Sequence, residues 1–253
     1  MKDLKGKAVL VTGGSTGIGA AAARAFAALG ARTMVHYNAS KDAAADLAAQ
    51  IREAGGDAQI IGGDVTDLAT VSRIVEETAD RLGRIDVLIN NVGSLVRRTP
   101  VSDYSIELLD QVLDINVRQL VWFVREVTPI MRRQGGGNII NTTSIAARHG
   151  GGPGSVLYAA AKGFVSTATR GWARELAPDR IRVNAVSPGV ILTPFHDRFT
   201  TAEQLKSMQA QVPMNRLGAP EECAGTFTYL ASDEASGYVT GQVIEINGGQ
   251  LMP

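Results

Sequence analysis

Short runs of consecutive apolar residues alternate along the chain with longer stretches in which apolar residues return every three or four positions. The short runs predict strands at 8–12 (AVLVT), 32–36 (RTMVH), 58–62 (AQIIG), 86–90 (DVLIN), 138–142 (NIINT), 181–186 (IRVNAV) and 243–246 (VIEI). The longer stretches predict helices near 17–29, 41–54, 67–82, 105–134, 157–176 and 220–231. Several strands are apolar throughout, the pattern of a sheet covered on both faces. Regular alternation of strand and helix implies right-handed crossovers. The expected fold is therefore α/β: a doubly wound parallel sheet of about seven strands with helices on both faces.

Residues at the element ends agree with these boundaries. Gly30 and Gly55-Gly56 close helical patterns, where a left-handed residue is needed. Asp67 and Ser105 stand at N-cap positions. Ala219-Pro220-Glu221-Glu222 opens a helix with proline in the first turn and acids near the positive end of its dipole. No linker or repeat divides the chain, so residues 1–253 read as one domain. The segment near 190–216 is the least regular and reads as a mobile substrate lid.

Composition narrows the function. Lys plus Arg and Asp plus Glu both number 25, so nothing draws the chain to nucleic acid or to an anionic membrane. The lone cysteine, Cys223, suits a reducing compartment, and His36, His149 and His196 are too scattered for zinc-ligand spacing, so no metal is expected. The N-terminus is too polar for a signal peptide, and no apolar run approaches membrane length. The cytoplasm is the expected location.

Residues 12–19, TGGSTGIG, admit two readings. Gly13 to Gly17 match G-x-S-x-G, the nucleophile elbow of serine hydrolases, with Ser15 as nucleophile. The same stretch matches T-G-x-x-x-G-x-G, a glycine-rich turn between a first strand and an Ala-rich helix. There Gly13, Gly17 and Gly19 would let free helix-start N–H groups face a pyrophosphate, with Ser15 and Thr16 donating beside them. The hydrolase reading needs an acid and then a histidine in strand-end contexts, which the chain does not offer. A turn serving only packing is the plainer alternative.

A second constellation decides between them. Tyr158 and Lys162, in YAAAK, lie one above the other on one helix face. An ammonium beside a phenol would stabilise the phenolate and lower its pKa towards a useful range. Ser144, ending the NIINTTS strand, would stand at the carboxyl edge of the sheet, where open α/β folds bind ligands.

With these motifs the chain resembles the short-chain dehydrogenase/reductase family over essentially its whole length. The matching residues run in order: TGGSTGIG (12–19), Asp64-Val65, NNVG (90–93), Asn116, Ser144, Tyr158 with Lys162, Pro188-Gly189, Thr193, and TGQVIEINGG (240–249). Val92 stands where the family usually has alanine. The resemblance implies a Rossmann-type sheet and hydride exchange between a nicotinamide cofactor and a small carbonyl or alcohol substrate. Tyr158 would be the acid/base. Lys162 would tune it and hold the nicotinamide ribose, Ser144 would bond the substrate oxygen, and Asn116 would hold a relay water. Gly13, Ser15, Thr16, Gly17, Ile18 and Gly19 would form the phosphate cradle. Asp64 and Val65 would meet the adenine, Asn90, Asn91, Val92 and Gly93 the nucleotide, and Pro188, Gly189, Ile191 and Thr193 the nicotinamide.

An acid ending the second strand would select NAD by bonding the ribose 2′-hydroxyl. That place falls at Tyr37, and no acid occurs before Asp42. His36, Asn38, Ser40 and Lys41 would instead serve a 2′-phosphate, so NADP(H) is expected over NAD(H). Leu95, Val96, Arg148, His149, Leu157 and the 190–216 segment should border the substrate. The motifs sit nearest the 3-oxoacyl-carrier-protein reductase-like branch. A carrier protein would require a basic landing area, for which Arg125, Arg132 and Arg133 are candidates; a general ketone, sugar or steroid oxidoreductase fits equally. Relatives form tetramers through the long helices and C-terminal strand, and here Phe164, Ala168 and Trp172 share one helix face. A non-catalytic dinucleotide sensor is the remaining alternative.

Overall fold

The computed structural model describes residues 1–252. Seven strands form one sheet: β1 (Ala8–Val11), β2 (Arg32–Tyr37), β3 (Asp57–Gly62), β4 (Val87–Asn90), β5 (Gly137–Thr142), β6 (Ile181–Pro188) and β7 (Val243–Ile246). They pair in the order β3-β2-β1-β4-β5-β6-β7, all parallel. The winding reverses beside β1, because β2 lies on one side of it and β4 on the other. This leaves a crevice at the carboxyl ends of β1 and β4, the place where such sheets bind ligands.

The unbroken apolar runs follow from burial on both faces. Along β1, Val9 and Val11 belong to one core with Phe26, Leu47 and Phe227, while Ala8 and Leu10 belong to the other with Ile74, Phe123 and Met131. Covering these faces are α1 (Gly17–Ala28), α2 (Lys41–Glu53), α3 (Leu68–Leu82), α4 (Ile106–Leu113), α5 (Gln119–Gln134), α6 (Ala146–His149), α7 (Val156–Leu176), α8 (Pro194–Phe199), α9 (Ala202–Ala210), α10 (Pro220–Ala231) and α11 (Asp233–Ser236). The expected caps form. The Asp67 carboxylate accepts from the Ala69 N–H, the Ser105 hydroxyl accepts from the Leu108 N–H, and Gly30 and Gly55 take positive φ.

Two expectations require correction. The helix expected over 105–134 is interrupted at Asp114–Arg118 by a wider, π-type turn, which separates α4 from α5. Such an inserted residue re-aims the side chains around it and is common at functional sites. Asn116 lies within it. The segment near 190–216 contains two helices, α8 and α9, with a Thr201–Gln204 capping box opening the second. Neither helix buries a residue. The periodicity that reveals helices packed on a core is therefore missing from their sequence.

Candidate active site

A cavity of about 1090 Å³ opens at the reversal point. Its floor is the turn after β1. Thr16 gives α1 no side-chain cap, and the first turn of that helix carries no acid, so its free N–H groups face the cavity. Gly17 adopts φ +54°, and a Cβ there would stand 3.1 Å from the Thr193 side chain. The turn is held from behind. The Asn91 carboxamide donates to the carbonyls of Thr12 and Gly13 at 3.2 and 3.0 Å. The Thr12 hydroxyl bridges to the Ile89 carbonyl and accepts from the Asn91 N–H.

His36 completes this support. Its Nδ1 accepts from the Gly13 N–H at 3.1 Å, and its Nε2 lies 2.9 Å from the Gly63 carbonyl. An N–H only donates and a carbonyl only accepts, so the ring must be neutral with its proton on Nε2. Burial, aided by Arg73, pushes its pKa down, against the Gly63 bond and Asp64. Both nitrogens are thus taken by backbone, and the imidazole has none left for a 2′-phosphate.

The end of β2 faces the cavity through Asn38, Ala39 and Ser40. Tyr37 and Lys41 do not line it. The Tyr37 ring lies over Gly62, where a Cβ would come within 2.7 Å of it, and Lys41 opens α2 as an exposed residue. Val65 lines the cavity, whereas Asp64 turns its carboxylate to the N–H and hydroxyl of Thr66. Asn91, Val92 and Gly93 line it; Asn90 is buried and bonds Asn141, which in turn bonds Thr169. Ser15, Ile18, Pro188, Gly189, Ile191 and Thr193 line it, and Gly19 lies behind the turn.

Opposite the turn stand Ser144, Tyr158 and Lys162. Ser144 follows β5, and its Oγ accepts from the Ala146 N–H at 3.1 Å. Tyr158 and Lys162 share a face of α7, with the ammonium 5.8 Å from the centre of the phenol ring. Lys162 is buried and donates to the Thr142 carbonyl at 2.8 Å. Gly93 makes room for it, since a Cβ there would lie 2.7 Å from Lys162 Nζ and 2.9 Å from Asn116 Oδ1. Asn116 itself does not line the cavity. Its carboxamide accepts from the Ser94 N–H and donates to the carbonyls of Ser94 and Val112, locking the strand-end loop to the π-type turn. The neighbouring Thr143 has its hydroxyl on the Lys162 carbonyl and on Ser166.

Burial controls the titration of this pair. It pushes the Tyr158 phenol up to about 12, against a hydrogen bond from Ser144 that holds it down. It pushes Lys162 down to about 8. The expectation that the ammonium would dominate and acidify the phenol is therefore corrected. At 5.8 Å from the ring centre, and already bonded to Thr142, the ammonium does not offset desolvation of the phenolate. The phenol carries its proton at neutral pH.

Around the substrate end, Leu95 and His149 line the cavity as expected, while Val96, Arg148 and Leu157 do not. Arg148 is paired with Glu245 at 3.0 Å. From the irregular segment come Phe195, His196, Arg198, Phe199, Gln204, Ser207, Met208 and Gln211. Phe195 packs on the Tyr158 ring at 5.8 Å between centroids. Sequence reasoning missed Ser94, Arg98, the loop Gly151–Pro153, and Gln250 with Leu251, all of which line the cavity. They come from loops with no periodic signal, so only the closed fold brings them together.

Comparison with known proteins places these features in context. The sequence profile of a family described as Enoyl-(Acyl carrier protein) reductase matches residues 13–250. A 3-oxoacyl-[acyl-carrier-protein] reductase of Synechocystis is 38% identical over 252 residues, covering 100% of both chains. Among solved structures, an NADH-dependent reductase responsible for alginate metabolism superposes with a TM-score of 0.92 at 36% identity, covering 100% of each chain. A short-chain dehydrogenase from Burkholderia cenocepacia in complex with NADP gives 0.90 at 31% identity, covering 98% of this chain and 99% of that one.

Proposed function

The chain belongs to the short-chain dehydrogenase/reductase family and is an NAD(P)-dependent oxidoreductase, and from that premise we propose that it reduces the carbonyl of a small substrate with Tyr158 as proton donor. The carrying observation is the set Ser144, Tyr158 and Lys162 facing an uncapped glycine-rich helix start across one cavity. The cavity fits a dinucleotide: open N–H groups meet the pyrophosphate, and Gly93 leaves the approach to Lys162 clear. When bound, the nicotinamide supplies or accepts the hydride.

The residues of the chain then divide the remaining work. Ser144 orients the substrate oxygen through its hydroxyl, and it lines the same cavity as the Tyr158 phenol. Tyr158, protonated at neutral pH, delivers the proton to the developing alkoxide; in the reverse direction its phenolate would take one. Lys162, with a pKa near 8, holds the ribose and returns the proton to the phenol. Asn116 acts as a positioning residue that fixes Ser94 and the wall beside Lys162. Phe195 and the segment carrying α8 and α9 form the lid, closing on the phenol from one side.

NADP(H) is the preferred cofactor in this reading and NAD(H) the weaker one. No carboxylate lines the cavity at the end of β2, where Asn38, Ala39 and Ser40 are found. Of the similar solved structures one is complexed with NAD and another with NADP, so the assignment rests on that acid-free strand end. A ketone panel assayed with NADPH and NADH tests it: kcat/KM should favour NADPH, and an NADH preference would refute the assignment. The whole chain, 1–253, serves as one domain, with the cytoplasm as its location. A carrier protein is the less favoured partner, because Arg125 is paired with Glu126 and stacked on Trp122, and Arg132 is paired with Asp179. A homotetramer is supported by Phe164, 42% exposed on α7, and by β7, a half-buried apolar edge strand. Light scattering at four times the 26.7 kDa chain mass is the expected result, and a monomer would overturn it.

A further inference from the structure

The cavity wall has an unusual charge balance. The chain as a whole has equal numbers of acids and bases, yet no Asp or Glu lines the cavity, while Lys162, Arg98, Arg198 and all three histidines do. The cofactor accounts for the phosphate end. Lys162 is assigned to the ribose and His36 is saturated by backbone. That leaves Arg98, Arg198, His149 and His196 at the end where the substrate enters.

Among these, Arg98 is built into place. Its Nε donates to the Phe199 carbonyl at 3.0 Å, and its Nη1 donates to the Pro153 carbonyl at 3.0 Å. One bond reaches the lid and the other the 150s loop, so the guanidinium spans the cavity mouth. Both N–H groups of Nη2 and one of Nη1 have no protein partner, and among the described residues no carboxylate lies within 4.0 Å. Carbonyl oxygens satisfy donors but do not neutralise the charge. A half-buried guanidinium without a counter-ion is costly unless an anion reaches it.

The loop that carries Arg98 is also strained and tied down. Val96 takes φ +64°, which a β-branched residue rarely adopts. The conformation is held by Val96 N–H on the Ser94 hydroxyl, by Ser94 on Asn116, and by Thr99 N–H on the Gly154 carbonyl. Beside it, burial lowers the His196 pKa, helped by the Arg98 charge and opposed by Asp197. His196 shares a hydrogen bond between Nδ1 and the Thr200 hydroxyl, leaving Nε2 free.

We propose that Arg98 reads an anionic group on the substrate, and that this reductase acts on carbonyl compounds bearing a carboxylate or phosphate. The inference rests on the reductase reading above but concerns the other end of the substrate. Arg98 presents its open edge to the anion as a planar fork, and His196 adds a neutral hydrogen-bond donor.

Calorimetry on the protein–NADP+ complex tests this without turnover. Levulinate is compared with methyl levulinate, and dihydroxyacetone phosphate with dihydroxyacetone; the first pair reads a carboxylate and the second a phosphate. At least one anion should bind about tenfold tighter than its neutral partner, as expected for a charge-assisted guanidinium contact. Arg98→Gln should erase that difference, and Arg98→Lys should keep part of it. No preference for either anion in the unaltered protein, or an equal loss of both members of a pair in Arg98→Gln, would overturn the proposal. If the preference is found while none of the ketones is turned over with NADPH, the anion site stands and the reductase reading fails.

Discussion

The two ends of the cavity are built by different means. At the cofactor end, the turn after β1 grows out of the middle of the sheet and is held by Asn91, Thr12 and His36 through hydrogen bonds that close on backbone. At the substrate end, α8 and α9 bury no residue and are held by Arg98 on the Phe199 carbonyl and by Phe195 on the Tyr158 ring. The difference teaches how one fold can keep one cofactor and change substrates. Preorganised backbone donors cost little to reorder on binding, so the dinucleotide meets a finished site. Loosely attached helices can close on different groups, so selectivity there falls to single side chains such as Arg98.

Tyr158→Phe should separate the ends most sharply. It removes the proton donor and leaves the ring packed, so kcat should fall roughly 10²- to 10⁴-fold while the dissociation constant for NADPH changes little. Stopped-flow turnover with fluorescence titration measures both, and full activity in this variant would remove the assignment.

A smaller effect is expected at His36, which should act on the cofactor end alone. His36→Leu strands the Gly13 N–H and the Gly63 carbonyl, at about 1–3 kcal/mol for each buried unpaired group, so NADPH affinity should drop roughly tenfold or more with kcat at saturation kept. The pH dependence has a definite sign. Nδ1 must stay unprotonated to accept from Gly13, and burial holds the His36 pKa below its ordinary 6.5. Affinity therefore persists through neutral pH and is lost as pH falls through that lowered value. His36→Asn retains a donor and an acceptor and should flatten the acid limb. An unchanged limb in that variant would show that another group titrates.

The smallest effect belongs to the lid. Phe195→Ala gives up the ring contact with Tyr158 across the cavity, worth about 0.5–1.5 kcal/mol, together with its contacts to His196 and Phe199 within the lid. KM should rise severalfold at most, and because no residue of α8 is buried, the melting temperature should hardly move. A large loss of stability would show that the segment belongs to the core.

Much of this was legible in the sequence because it is local. The strands read as apolar runs since both faces of β1 enter a core, and Gly30, Asp67 and Ser105 mark helix ends by chemistry within a few residues. Tyr158 and Lys162 could be paired from helical spacing alone. Less legible were features in which distant segments compete for one group. His36 sits two residues from Asn38 and reads as a solvent-facing donor until Gly13 and Gly63 close on its two nitrogens. Tyr37 occupies the place of the cofactor-selecting residue, but its ring lies over Gly62. The π-type turn at Asn116 leaves no mark, because one added residue does not change the apolar period on either side.

By itself, then, the sequence determined the order of elements, the sheet and the chemical groups available, since propensity, capping and one-turn spacing act over a few residues. Only the tertiary structure decided the protonation of those groups and which of them face the cavity. The burial that lifts the Tyr158 phenol to about 12, and the two carbonyls that hold Arg98 at the mouth, depend on what the rest of the chain places around each side chain.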